Sequence, residues 1–201
     1  MSSIWIPVAL SQDILSGMAI PAHLPGHDLV VWRSASGRIA AWHDRCPHRG
    51  MRLSHGFVRG DFLSCIYHGW RYGENGHCSK IPAHPDLVPP AAIKVPRFDV
   101  REKSSVVWVA PTGQAGEPVD YRGFTGFRSL SVNAPADLIA RAVEGEERLA
   151  GCSVVLLVQA LQGRGCNLHV LAAEGYDTAQ LDGLSLAIEV LRRRLEQAVA
   201  T

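Results

Sequence analysis

The feature that most restricts how this chain folds is a pair of short segments that each combine one cysteine with one histidine. Residues 46–50 read CPHRG and residues 65–70 read CIYHGW, with sixteen residues between His48 and Cys65. The full pattern is therefore C-x-H, sixteen residues, then C-x2-H. A short loop directs both of its donor side chains to one point, so the pattern predicts a fold that brings two such loops together.

The donor set leaves three interpretations. Zinc takes tetrahedral Cys/His sites, but its usual halves are C-x2–4-C and H-x3–5-H. The second interpretation is four side chains with no metal. The third is a pair of adjacent irons, with each loop giving a thiolate to one iron and an imidazole to the other. A Rieske [2Fe–2S] centre has this ligand set, because two His replace two Cys on one of its irons. The mixed halves favour this third interpretation.

The surrounding residues carry a specific family resemblance. The segments HDRCPHRGMRLSHG and YHGWRYGENGHC resemble the Rieske domains of ring-hydroxylating and demethylating oxygenases, above all the branch that includes vanillate demethylase and dicamba monooxygenase. The resemblance covers residues 1 to about 112. It implies one [2Fe–2S] cluster, and its ligands are then Cys46, His48, Cys65 and His68. The Rieske proteins of respiratory complexes carry an extra disulfide, whose positions here correspond to Met51 and Tyr67, so that disulfide is not expected.

This ligand set also leads to an expected reduction potential. Two neutral imidazoles in place of two thiolates raise the potential above that of an all-Cys cluster. With no disulfide, and no hydroxyl residue directly after Gly69, we expect a value near the low end of the Rieske range, about −150 mV. We expect Trp70 and Tyr72 to form walls of the site. Arginines near the ligands either form a docking patch for an acidic electron donor or are scattered solvated residues; they are Arg45, Arg49, Arg52 and Arg71.

Composition limits the remaining function classes. The 201 residues carry a formal net charge of +1, which argues against binding nucleic acid through bulk charge. No apolar run approaches the roughly 18 residues that span a bilayer, and the first residues lack a signal-peptide pattern. We therefore expect a cytoplasmic protein with no membrane or nucleic-acid partner. In that compartment the three other cysteines are expected to be packed or free thiols; they are Cys78, Cys152 and Cys166.

The chain divides by pattern into two parts. Residues 1–115 contain short apolar runs that predict strands: DLVVWRS and RIAAWHD as a hairpin, another turn at Arg59–Gly60, and a last strand VVWVA. Prolines crowd residues 82–96 and predict a long irregular connection. We predict a β-rich Rieske domain, an antiparallel β-sandwich with cluster-binding loops, followed by a linker at residues 116–126.

Residues 127–201 have a different texture. FRSLSVNA predicts a strand, PADLIARAVEG a short helix, and CSVVLLVQAL with CNLHVLAAE an antiparallel pair. A long final helix is predicted from leucines and isoleucine at intervals of three and four; they are Leu181, Leu184, Ile188, Leu191 and Leu195. This order predicts a small α+β domain that resembles a truncated helix-grip fold.

The second part lacks a feature that the resemblance would lead one to expect. Oxygenases of this family hold a mononuclear iron with two His and one carboxylate. After residue 115 the sequence contains a single histidine, His169, and Asp177, Asp182 and Glu189 do not complete a two-His site with it. We therefore predict no mononuclear iron and no catalytic residue in this chain, and we interpret His169 as a core or surface strand residue.

These observations predict an electron-transfer protein. It would take single electrons from a reductase or ferredoxin and pass them to a separate non-haem iron oxygenase subunit, in a homomeric or mixed trimer. Two alternatives stay open, a non-catalytic redox or structural partner in an oxygenase assembly, and an oxygenase whose iron site is completed by another chain. Whether the chain is itself an enzyme is left undecided by the sequence, and so is the substrate of the oxygenase system.

Overall fold

A computed structural model describes residues 5–113, 116–163 and 165–199 of the chain. These residues form fourteen β-strands and two α-helices, arranged in three sheets. Neighbouring strands pair antiparallel in each of the three sheets. The predicted fold class is confirmed: a β-rich N-terminal part is followed by a small α+β part. Within the described ranges, no helix is long and apolar enough to cross a membrane.

The chain separates into two compact units. The first consists chiefly of Asp13–Arg101, with Val109–Gly116. The second consists of Glu117–Thr201 together with two earlier segments, Ile6–Gln12 and Glu102–Trp108. The predicted boundaries at 115, 116–126 and 127 stay a prediction, although a strand already begins at Phe124, inside the predicted linker.

Ten strands precede residue 111, in two sheets. A six-stranded sheet has the order β1-β10-β9-β4-β3-β2, and a four-stranded sheet has the order β5-β6-β7-β8. The bounds of these strands are β1 Ile6–Leu10, β2 Ala19–Leu24, β3 His27–Arg33, β4 Ile39–His43, β5 Phe57–Arg59, β6 Phe62–Ser64, β7 Arg71–Gly73, β8 Cys78–Lys80, β9 Arg97–Lys103 and β10 Val106–Ala110.

The hairpins of the first unit follow the predicted turns. Strands β3 and β4 pair across the turn that the sequence indicates, and β5 pairs with β6 across Gly60, whose φ of +59° suits a glycine. Residues 81–96 are all described, and apart from one isolated bridge at Lys94 they contain no strand or helix, as the prolines predict. Trp32 packs edge-on against Trp42 at 5.0 Å in the core beneath the loops.

The second unit contains a four-stranded sheet of order β11-β14-β13-β12 and both α-helices. The bounds are β11 Phe124–Val132, α1 Ala136–Ala142, β12 Arg148–Leu149, β13 Cys152–Ala160, β14 Cys166–Ala173 and α2 Thr178–Val199. Four residues of the predicted apolar stripe of α2 are buried against one face of the sheet; they are Leu184, Ile188, Leu191 and Leu195. The strand pair, both helices and the stripe are therefore as predicted.

Candidate metal centre

The first loop that carries a Cys and a His leaves strand β4 and closes on itself within six residues. The backbone N–H of Cys46 donates to the carbonyl of Met51 at 2.8 Å, and the N–H of Gly50 donates back to the carbonyl of Cys46 at 2.8 Å. Gly50 has a φ of +71°, a conformation that residues with a Cβ rarely adopt. This closure fixes the direction of the Cys46 and His48 side chains.

The second loop joins β6 to β7 and repeats the same hydrogen-bond pattern. The N–H of Cys65 donates to the carbonyl of Trp70 at 2.9 Å, and the N–H of Gly69 donates to the carbonyl of Cys65 at 3.0 Å. Gly69 has a φ of +67° and occupies the same place as the glycine of the first loop. The two loops thus share one backbone design and differ in that the histidine lies two residues after Cys in one and three residues after it in the other.

A buried carboxylate stabilises the first loop through hydrogen bonds and ion pairs. Asp44, which is 4% exposed, accepts hydrogen bonds from the backbone N–H and the hydroxyl of Ser54 at 2.7 and 2.6 Å. Arg52 pairs with Asp28 at 2.9 Å and with Asp44 at 3.5 Å. Since Arg52 is held by these carboxylates, it is a structural residue of the loop, and three exposed arginines remain for the predicted docking patch; they are Arg45, Arg49 and Arg71.

The four candidate ligands divide by burial. Cys46 and Cys65 are 3% and 2% exposed, whereas His48 is half-buried and His68 is exposed. The two imidazole rings lie next to each other, with centroids 4.7 Å apart and planes at 69°. The thiols therefore face the protein core and the imidazoles lie on the solvent side.

Aromatic rings hold the two imidazoles in place. Trp70 stacks on His48 with a centroid distance of 4.2 Å and an interplanar angle of 7°. Tyr67 lies against His68 at 3.9 Å. Burial, then His68 and then Arg49 lower the pKa of His48, which favours its neutral imidazole. A neutral imidazole is the form that binds a metal.

Tyr72 contributes a hydrogen bond that the sequence did not indicate. Its hydroxyl lies 3.1 Å from Sγ of Cys46, inside the core. Burial, and secondarily the neighbouring Cys46, raise the pKa of Tyr72, so the phenol keeps its proton. A metal-bound thiolate has no proton to give, so Tyr72 would then be the donor. The one sequence signal is the alternation of β7, in which Arg71 is exposed and Tyr72 is buried.

Replacing Tyr72 with phenylalanine is expected to lower the reduction potential of the reconstituted chain by on the order of 50 mV. A hydrogen bond to a charged group is worth about 1.5–3 kcal/mol, and only the difference in its strength between the two redox states moves the potential. A difference of about 1.2 kcal/mol corresponds to about 50 mV, since 2.3 kcal/mol corresponds to about 100 mV. A redox titration followed by EPR measures this shift. Tyr67→Phe is the matched control, because it removes the same group from an exposed ring beside His68, and its potential should stay at the wild-type value. Equal shifts in both variants would contradict a specific bond to the Cys46 sulfur.

The donor set fits an iron–sulfur cluster better than a single ion. Burial, and then the neighbouring Cys46, raise the pKa of the Cys65 thiol, so a thiolate there needs cations beside it. Across the described ranges, no three side chains of His, Cys, Asp or Glu converge to hold one metal ion. A [2Fe–2S] cluster needs only two donors on each iron, and two thiols with two imidazoles supply that number.

The other three cysteines are buried thiols, as predicted, and none of the five cysteines is in a disulfide. Burial raises the pKa of Cys78, and it raises the pKa of Cys166 to about 11. Both therefore stay protonated at neutral pH. Cys78 belongs to the same core cluster as Cys46 and Cys65, which makes it the useful comparison for the ligand assignment.

His169 lies in the core of the second unit. It is 2% exposed, with Nδ1 2.9 Å from the hydroxyl of Ser129 and Nε2 3.3 Å from Oε1 of Gln159. This placement agrees with the interpretation of His169 as a strand residue.

The three carboxylates considered with His169 have other surroundings. Asp177 accepts a hydrogen bond from the N–H of Gln180 at 2.8 Å at the start of α2. Glu189 pairs with Arg192 and Arg193 on the same helix, and Asp182 is exposed there. These contacts are those of helix capping and of i,i+3 and i,i+4 ion pairs.

Curated relatives match over about half of this chain. Oxidoreductase NdmD of Pseudomonas putida is 42% identical over 116 residues, which cover 57% of this chain and 20% of that protein. The oxygenase subunit of 3-chlorobenzoate-3,4-dioxygenase of Comamonas testosteroni is 36% identical over 111 residues, which cover 54% and 26%. The matched part of the chain thus spans about a quarter or less of the length of these relatives.

Solved structures match over nearly the whole chain. Dicamba monooxygenase has a TM-score of 0.74 at 17% identity, covering 96% of this chain and 87% of that one. NdmA of Pseudomonas putida CBB5 with caffeine has a TM-score of 0.73 at 18% identity, covering 96% and 81%. At such identities the likeness shows a shared fold, which extends through the second unit.

The family assignment rests on residues 4–110. The profile of the Rieske [2Fe-2S] domain matches residues 4–110, which is more than half of the chain and includes both loops. The loops, the two buried thiols and the paired imidazoles lie within that match. The chain therefore belongs to the Rieske [2Fe-2S] domain family.

Proposed function

We propose that this chain is an electron-transfer component of a Rieske-type oxygenase system. It takes single electrons from a reductase or ferredoxin and delivers them to a separate non-haem iron oxygenase subunit. The observation that carries the proposal is the pair of loops closed by the same hydrogen-bond pattern, each of which carries one buried thiol and one of two neighbouring imidazoles. Relatives that are named as oxygenase components support the same class of system.

The proposed ligands are Cys46 and Cys65 on one iron and His48 and His68 on the other. When bound, a [2Fe–2S] cluster supplies reversible one-electron chemistry. The protein's own contribution is positional: the core shields the two thiols from water, and the Tyr72 hydroxyl would donate a hydrogen bond to the metal-bound thiolate of Cys46. The exposed ring of His68 offers a route from the site to a docked partner.

The surface around the loops suits an acidic electron donor. Arg45, Arg49 and Arg71 are exposed, and two of them belong to the loops or follow them directly. Exposed cations of this kind speed the encounter with an acidic partner more than they strengthen the complex. Reduction of the chain by a plant-type ferredoxin should therefore slow as salt is added, because screening shortens the range of the attraction.

Two features support a separate acceptor for the electrons. The sequence after residue 115 contains one histidine, and the two ring nitrogens of His169 already face Ser129 and Gln159. A two-His, one-carboxylate site therefore has no evident counterpart in the second half. The proposal assigns oxygen chemistry to another subunit and leaves this chain without a catalytic residue.

Metal analysis of the anaerobically reconstituted chain tests the proposal. We expect two irons and two acid-labile sulfides per chain, and an EPR signal of the reduced form with an averaged g below two. Reduced chain should then be reoxidised by an added non-haem iron oxygenase in the presence of its substrate. Zinc without sulfide would overturn the ligand assignment. Oxygen-dependent turnover by the chain alone, with a third iron, would overturn the carrier role.

A further inference from the structure

Strand β13 has an open edge. Its partner on one side, β14, pairs with seven of its nine residues, from Val154 to Ala160. Its partner on the other side, β12, is only two residues long and pairs with Cys152 and Ser153. One further bond on that side runs from the N–H of Val154 to the carbonyl of Glu147. The rest of β13 has no neighbouring strand among the described residues.

The alternation of an antiparallel ladder shows which groups lie on the open edge. The N–H of Leu161 donates to the carbonyl of Gly165, on the side of β14. The N–H of Val154 points to the opposite side, where it donates to the carbonyl of Glu147. Because ladder bonds alternate from residue to residue, the N–H and C=O groups of Leu156 and Val158 point away from β14. No hydrogen bond to these amides is found in the described part of the chain. They form a row of unpaired backbone groups.

The open edge lies in a groove of about 740 Å³ within the second unit. Its lining includes β13 from Val154 to Val158 and the apolar residues Pro7, Trp108, Val119, Tyr121, Ala140 and Val143. The rings of Trp108 and Tyr121 are nearly parallel, with centroids 6.5 Å apart. The edge is therefore flanked by apolar surface that could cover the side chains of an added strand.

The strand itself has none of the usual protection of a free edge. Its sequence, CSVVLLVQA, contains no charged residue and no proline. Natural proteins protect edge strands with Lys, Pro, bulges or a covering segment, since an uncovered apolar edge pairs with other chains. We therefore expect this edge to be covered in the working protein. An extended segment covers it best, because it can form hydrogen bonds with the outward N–H and C=O groups of both Leu156 and Val158.

The charges of the groove indicate the chemistry of that segment. Three carboxylates line it against one guanidinium; these residues are Glu144, Glu146, Glu147 and Arg141. Glu144 and Glu147 are exposed. The backbone carbonyl of Glu147 accepts from the N–H of Val154, so Glu147 lies near the start of β13. A second copy of β13 is uncharged and offers nothing to these carboxylates, whereas a segment with Lys or Arg at that end does.

We propose that β13 is a strand-addition site for an extended segment of a partner protein, apolar at alternating residues and carrying Lys or Arg beside Glu144, Glu146 and Glu147. The segment adds a strand to the sheet through Leu156 and Val158 and places its apolar side chains against the walls of the groove. Peptide recognition by strand addition has this division of roles, with backbone bonds for affinity and side chains for specificity. The proposal does not depend on the cluster.

Hydrogen exchange on the full reconstituted chain tests this site. The probe is the capped peptide Val-Thr-Val-Thr-Val-Lys-Lys, compared with Val-Thr-Val-Thr-Val-Glu-Glu, because in an antiparallel addition the C-terminal residues of the peptide lie beside the start of β13, where Glu147 is. The basic peptide should slow exchange of the Leu156 and Val158 amides by about tenfold or more, as expected for two new backbone bonds, and the acidic peptide should bind more weakly. No protection by millimolar basic peptide would overturn the proposal. Protection that grows with chain concentration without peptide would overturn it in favour of self-pairing.

Two sets of variants separate the role of the backbone at the open edge from the role of the carboxylates that line the groove. Val158→Pro removes an outward N–H and should weaken peptide binding by about tenfold, whereas Val158→Ala shortens the same side chain, keeps the N–H and should bind nearly as wild type. If the proline variant does not fold, Glu144→Lys with Glu147→Lys decides, because both residues are exposed. That double variant should reverse the preference and favour the acidic peptide; an unchanged preference would contradict the predicted charge of the segment.

Discussion

Replacing His68 with cysteine is expected to leave a two-iron cluster in the chain and to lower its reduction potential by on the order of 100 mV. A thiolate brings one negative charge more than a neutral imidazole, which disfavours the reduced state. All-Cys clusters of this type lie near −400 mV and the lowest Rieske centres near −150 mV, so one of the two replacements accounts for roughly half of the difference. A redox titration followed by EPR gives the potential, and iron and sulfide assays verify the cluster.

The choice of His68 over His48 follows from their surroundings. His68 is exposed, so its replacement disturbs little packing, whereas loss of the His48 ring would also remove its stack with Trp70. His55→Cys is the matched control, since His55 is an exposed histidine just after the first loop and is not a proposed ligand. An unchanged potential in His68→Cys, or an equal shift in both variants, would show that His68 is not an iron ligand.

Local sequence signals predicted the parts of this fold that depend on few residues. Each ligand loop closes within six residues through its own glycine, Gly50 or Gly69, so the C-x-H and C-x2-H spacings were sufficient to identify the donors as candidates. The hairpin at Gly60 and the apolar stripe of α2 are likewise set by turn chemistry and by a 3.6-residue period. In these cases the information lies within the element itself.

The features that the sequence did not reveal depend on distant pairings. The bond between Tyr72 and Cys46 joins residues 26 apart, and it exists because β7 buries one face against the first loop. In the sequence, Asp44 does not differ from an exposed acidic residue, because its hydrogen-bond partner Ser54 lies ten residues away. The sequence shows that no hydroxyl residue follows Gly69. It does not show that the phenol of Tyr72 approaches the sulfur of Cys46.

The open edge of β13 was hidden for a related reason. Its apolar run predicts a buried strand, and it correctly predicts pairing with β14, but a one-dimensional pattern does not say how many neighbours a strand has. The number of neighbours of β13 depends on the two-residue length of β12. So short a strand shows no alternation of apolar and polar residues in the sequence. Edge and central positions follow from topology, which only the folded chain shows.

Serine at position 46 is expected to abolish cluster binding, while serine at position 78 is expected to preserve it. Both cysteines are buried in one core cluster, at 3% and 6% exposure, and both substitutions replace sulfur with oxygen at nearly the same volume. Serine at position 46 still offers the Tyr72 hydroxyl a hydrogen-bond partner, so the apo chain should stay folded by circular dichroism. Such clusters are held by Cys thiolates, and a serine hydroxyl loses its proton far less readily than a thiol, so it is a much poorer iron ligand.

The measured quantities are iron and acid-labile sulfide per folded chain after anaerobic reconstitution. Cys46→Ser should fall to background in both, and Cys78→Ser should keep the wild-type content and potential. The opposite result would make Cys78 the ligand and would break the C-x-H half on which the family pattern depends. Equal loss in two folded variants would mean that the core as a whole, and not one sulfur, governs assembly. The two sites differ chiefly in the loop that presents the thiol. Loss of the cluster in Cys46→Ser alone would therefore assign the ligand role to the thiol that the closed six-residue loop presents.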